Sequence, residues 1–82
     1  MKITVYGPGC AKCVHAEEVV CEAVAEAGVE AEVEKVTDLA AMAKAGVLAT
    51  PAVAVDGKLV VKGKVPEKAE LVSRITSALA AE

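Results

Sequence analysis

The sequence contains no phenylalanine and no tryptophan, and Tyr6 is its one aromatic residue. A core must therefore be built from Ala, Val, Leu and Ile, whose small side chains let helices and strands approach closely. It also lacks a basic excess: nine Lys and Arg stand against twelve Asp and Glu, a formal charge of -3. Without a basic face to neutralise phosphates or aromatic platforms to stack bases, nucleic acid is excluded as a partner. Long apolar runs are missing too. The longest nearly uncharged stretch, residues 45–55, is broken by Pro51 and falls short of the ~20 residues that cross a bilayer, so no membrane association is expected. The first residues carry one lysine and a short alternating segment but no long apolar signal core, which points to a cytoplasmic location.

What is present suits one small domain spanning residues 1–82. Residues 2–6 (KITVY) alternate, with Ile3 and Val5 on one side, and read as a strand. Residues 11–27 are helix formers with Glu18, Glu22 and Glu26 as a solvated stripe, and Gly28 closes the helix. Residues 30–35 (EAEVEK) alternate strictly and read as a half-exposed strand near a sheet edge. Thr37 or Asp38 caps a short helix ending at Gly46, with Leu39 and Met42 facing its core.

Residues 52–55 and 58–62 are strand-like and are joined by Asp56-Gly57, a favoured two-residue hairpin turn. Lys58 and Lys62 fall on one side of the last strand, where they discourage edge-to-edge pairing. Pro66 suits the first turn of a final helix over residues 67–81, with Leu71, Val72, Ile75 and Leu79 as its buried stripe. The expected fold is α/β, in the order β-α-β-α-β-β-α. Its four-stranded mixed sheet carries three helices, in a chain expected to be a monomer.

Between the first strand and first helix lies GPGCAKC, residues 7–13. Three cysteines leave one over from any pure disulfide framework, so the Cys10-x-x-Cys13 pair reads as catalytic or metal-binding before it reads as structural. One helical turn separates cysteines spaced this way, within the Cα range a disulfide spans. At the helix entrance Cys10 meets unpaired N–H groups and the positive end of the helix dipole, and Lys12 adds a cation. All three favour thiolate, which makes Cys10 the more acidic and more exposed nucleophile.

Cys21 lies seven residues after Val14 in an Ala/Val-rich segment and reads as a small core residue. A zinc set of Cys10, Cys13, His15 and Cys21 is rejected by helix geometry. Cys21 stands about 12 Å along the axis from Cys13, and His15, which reads as a solvated surface residue, points elsewhere. Tyr6 reads as packing at the rim of the core. The residues alone favour a trans Thr50-Pro51 bond, because X-Pro bonds are cis only about 5–6% of the time.

The element order, Cys10-Ala11-Lys12-Cys13 at the first helix, and Thr50-Pro51 leading the third strand together resemble the thioredoxin superfamily. The likeness is greater still to its compact small redox-active disulfide proteins, and the minimal thioredoxin-like fold is the architecture it implies. It further implies a cis Pro51 packed against the cysteines, with the Thr50 backbone binding a substrate segment as an added strand. Cys10 would then attack a protein disulfide and Cys13 would resolve the mixed disulfide. A partner reductase, by analogy a thioredoxin-reductase-like flavoprotein, would restore the pair. No bound cofactor and no metal are implied, only a reversible Cys10–Cys13 disulfide.

The chain departs from thioredoxin's pattern at Gly9 and Ala11-Lys12, and its first strand offers only Lys2 and Thr4 as polar residues. Ala49-Thr50-Pro51 and a lone Gly63 do not match a glutathione site. Two rival readings are a Cu(I)- or Zn-binding C-x-x-C module and a noncatalytic binding domain on the same fold. The first would want Met where Pro8 stands and a different element order.

Overall fold

The computed structural model describes residues 1–9 and 11–80. The elements are β1 (Lys2–Tyr6), α1 (Ala11–Ala27), β2 (Glu32–Val36), α2 (Leu39–Lys44), β3 (Ala52–Val55), β4 (Lys58–Lys62) and α3 (Lys68–Ala80). The strands form one sheet in the order β2-β1-β3-β4. β1 pairs parallel with β2 and antiparallel with β3, and β3 pairs antiparallel with β4. This is the mixed sheet with three helices expected of a minimal thioredoxin fold.

Alternation along the strands divides the sheet into two covered faces. Ile3, Val5, Val53, Val55 and Val61 point into a core closed by Ala16, Val19, Val20 and Ala23 of α1 and by Leu71 and Ile75 of α3. On the other face Ala52 joins Met42 and Val47, with Tyr6, Val36 and Leu59 packed around them. A register shift between Val53 and Ala54 makes Val60 an extra residue of β4, so Val60 and Val61 both reach the larger core.

Local signals explain most boundaries. Gly28 and Gly46 adopt positive φ and end α1 and the turn after α2, while the Asp38 side chain caps α2 by accepting from the Ala40 N–H at 3.0 Å. The Asp56-Gly57 turn has φ of 49° and 86°, as a two-residue primed turn requires. At the sheet edge Glu34 and Lys2 form a 2.7 Å ion pair. The side-chain hydrogen bond that Lys2 donates to Glu34, followed by the carboxylate's charge, holds the Lys2 ammonium pKa above its ordinary value.

Several sequence expectations are corrected. Cys21 is exposed rather than in the core. The buried stripe of α1 is Cys13, Ala16, Val19, Val20 and Ala23. Cys21 and Val14 share a face, but at 3.6 residues per turn that face is rotated roughly 140° from the stripe, and Val14 is exposed as well.

Leu39 is 71% exposed. α2 is too short for both its apolar residues to reach the sheet, and Val47, whose N–H donates to the Met42 carbonyl at 2.9 Å, supplies the second contact. In α3 the stripe runs Leu71, Ile75, Ala78, at i, i+4, i+7, which leaves Leu79 at its margin and 40% exposed. β2 begins at Glu32 and α3 at Lys68, so Pro66 precedes the helix and does not occupy its first turn. Ala81, expected in α3, lies outside the described residues. Among the described residues no helix is long and apolar enough to cross a membrane.

Candidate functional site

The pairing register brings three chain segments to one end of the sheet. Tyr6, the last residue of β1, lies opposite both Val36, which ends β2, and Ala52, which begins β3. Immediately beyond Tyr6 and before Ala52 are Gly7 and Pro51, and the Gly7 N–H extends the β1–β2 pairing by donating to the Val36 carbonyl at 3.0 Å. Pro8 and Gly9 are exposed, with Gly9 at φ 96°, and the chain then enters α1.

Ala11, Lys12 and Cys13 open α1. Cys13 is 1% exposed, whereas Lys12 and His15 face solvent. No acidic residue stands in the first turn of α1, so nothing there offsets the positive end of its dipole. Cys10, the expected nucleophile, lies outside the described residues.

Gly7 is the residue the sequence reading missed. A side chain there would overlap the Cys13 Sγ and stand 2.8 Å from its Cβ, closer than carbon atoms pack. Gly7 is therefore glycine for space: the backbone leaving β1 lies directly against the Cys13 side chain. The only sequence signal was a glycine directly after a strand and facing a cysteine one turn into the next helix. Gly7→Ala is expected to destabilise the protein by about 1–3 kcal/mol through overpacking. Cys13→Ala in the same chain should relieve part of that cost. A double-mutant cycle by denaturant unfolding checks the contact, and strictly additive effects would refute it.

Pro51 is fully buried, Thr50 is half-buried, and the bond between them is cis. The segment before them is braced by the loop after β4. Gly63, at φ 70°, lies so near Ala49 that an added Cβ would come within 3.0 Å of the Ala49 Cβ. Leu48, two residues before Thr50, is 97% exposed, an apolar side chain presented beside this segment.

Thr4 is the buried polar side chain among the described residues, so no carboxylate is buried with Cys13. Cys13 is buried while Cys21 and His15 are exposed on other faces of α1, and among the described residues no three His, Cys, Asp or Glu side chains converge as metal ligands.

A family model described as "Thioredoxin domain" matches residues 1–76. The chain belongs to the thioredoxin domain family. It is 45% identical over 71 residues to a protein named thioredoxin from Methanothermobacter thermautotrophicus, a match covering 87% of this chain and 92% of that protein. It is also 42% identical over 77 residues to a protein named thioredoxin from Methanocaldococcus jannaschii, covering 94% and 88% respectively. The family model's match includes the strand-to-helix segment and the cis Thr50-Pro51 segment of this thioredoxin-family chain.

Proposed function

We propose that this protein is a thiol-disulfide oxidoreductase that reduces protein disulfides through Cys10 and Cys13. The observation that carries this reading is Cys13 itself. It is buried in the first turn of a helix without acidic residues there, packed on Gly7, with Cys10 directly before that helix in sequence. Membership of a family whose matched relatives are named thioredoxin supports a redox role.

In the proposed reaction the Cys10 thiolate attacks one sulfur of the substrate disulfide. The substrate S–S bond breaks, a Cys10–substrate disulfide forms, and the other substrate sulfur leaves as thiolate and takes a proton from water. The Cys13 thiolate then attacks Cys10 Sγ, releasing the second substrate thiolate and leaving a Cys10–Cys13 disulfide. The substrate has gained two electrons and the protein has lost two. A disulfide-reducing partner, a flavoprotein reductase by analogy, returns them and restores the dithiol.

Thr50 stands at the lip of the site with its backbone available to pair with an extended substrate segment. Lys12 is proposed to favour the Cys10 thiolate through its charge. The exposed Leu48 offers the bound segment an apolar contact.

The decisive measurement is a redox titration of the Cys10–Cys13 pair, with disulfide reduction assayed on the same preparation. A reversible two-electron couple together with substrate reduction is expected. Its potential assigns direction, about -270 mV marking a reductant and about -120 mV an oxidant. A protein with no such couple is not an oxidoreductase.

A further inference from the structure

At the end of β3 remote from Pro51, the β3–β4 turn and α3 enclose a cleft of about 340 Å³, within the size range of small-molecule sites. Val55 and Val60 of the hairpin and Ala78 of α3 give it an apolar wall, and Lys58, Arg74 and Ser77 give it polar groups. Arg74, Ser77 and Ala78 fall at i, i+3, i+4 and so share one face of α3.

Asp56 also lines the cleft, but its carboxylate is already engaged. It accepts from the Lys2 N–H at 2.8 Å, and the Asp56 N–H donates to the Lys2 carbonyl at 2.7 Å. These two bonds pin the turn to β1 and leave the cleft wall preformed. Among the described residues neither Lys58 nor Arg74 takes part in an ion pair. Two cations and a hydroxyl donor thus line a cleft in which, among the described residues, the carboxylate present is that of Asp56, with Oδ1 accepting from the Lys2 backbone, in a chain of net charge -3.

We propose that this cleft binds a small molecule carrying an oxyanion, either a phosphate ester or a carboxylate. The oxyanion takes the Arg74 guanidinium as its main partner, with Lys58 and Ser77 as further donors. A short apolar body lies against Val55, Val60 and Ala78. A guanidinium's paired N–H groups match both oxyanions bidentately. Four steps of extended strand, about 13 Å at 3.3 Å per step, separate Val55 in this cleft from Pro51, so the proposal stands apart from the thiol chemistry.

The test is a two-dimensional amide NMR titration of the full chain with inorganic phosphate, glucose 6-phosphate, succinate and, separately, an oligoglutamate peptide. Saturable shifts confined to residues 55–60 and 74–78 are expected. Binding by the two phosphates but not succinate assigns a phosphate ester, and the converse assigns a carboxylate. Arg74→Gln should weaken binding about tenfold, the scale of one charge-assisted hydrogen bond, and Lys58→Gln should weaken it less, both with disulfide reduction unchanged. Shifts scattered over the other lysines, no saturation at millimolar ligand, or full affinity in Arg74→Gln would overturn the site. Saturation by the peptide alone would overturn the small-molecule assignment.

Discussion

Cys13→Ser is expected to stop catalytic turnover of a protein disulfide while trapping the substrate on Cys10. In the proposed reaction Cys10 then keeps its thiol and its attack, but the second displacement loses the sulfur proposed to perform it. Well-placed intramolecular groups act at effective molarities of about 10⁵ M and above. No thiol in solution replaces one, and turnover should fall by a factor of roughly 10³ or more. Mass spectrometry under non-reducing conditions should find a one-to-one protein–substrate adduct that dithiothreitol releases. Cys10→Ser should yield no adduct. Cys13 is buried, and Cys13→Ala provides a second, apolar variant with the same expected trapping. Turnover within a few-fold of the parent in both variants would remove Cys13 from the mechanism.

Ile75→Ala should be the most destabilising of the simple core truncations. Ile75 is 0% exposed, in a cluster where α1 and α3 meet the sheet through Ala, Val, Leu and Ile alone. With no aromatic ring to slide into the space, the cavity stays open, and the loss is expected at about 2–5 kcal/mol. At about 0.05–0.15 kcal/mol per residue this chain has only about 4–12 kcal/mol to lose, so the melting temperature should drop by about 10 °C or more. Leu79→Ala, at the exposed margin of the same helix, should cost less than about 1 kcal/mol. Denaturant midpoints at constant slope check both values. Equal costs at the two positions would mean that the stripe through Leu71, Ile75 and Ala78 is misassigned.

The contrast between Ile75 and Leu79 shows where sequence patterning stops. Both fit an apolar stripe at helical spacing, and nothing local separates them. Burial is set by where the partner surface ends, and that is a property of the packed sheet. Cys21 and Leu39 failed in the same way. Each sits on a face with an apolar neighbour in sequence, Val14 for Cys21 and Met42 for Leu39, but only one direction around each helix meets the sheet.

Positions governed by backbone chemistry were legible. Gly28, Gly46 and Asp56-Gly57 are read correctly because a left-handed conformation limits which residues can stand there. The C-x-x-C spacing matches one turn of helix, and Cys13 lies in the first turn of α1. The family resemblance then supplied an isomer for Thr50-Pro51 that residue statistics alone argued against.

By itself, then, the sequence determined the seven elements and their order, the closed hairpin, a cap on the short helix at Thr37 or Asp38, and the position of Cys13 in the first turn of the first helix. All of these follow from interactions within a few residues along the chain. The tertiary structure decided that Gly7 lies against Cys13, that the loop at Gly63 braces the segment before Pro51, and that Arg74 and Lys58 line one cleft. Each joins groups distant in the chain or across a turn into another element, and their distances depend on sheet register and helix placement that no local pattern encodes.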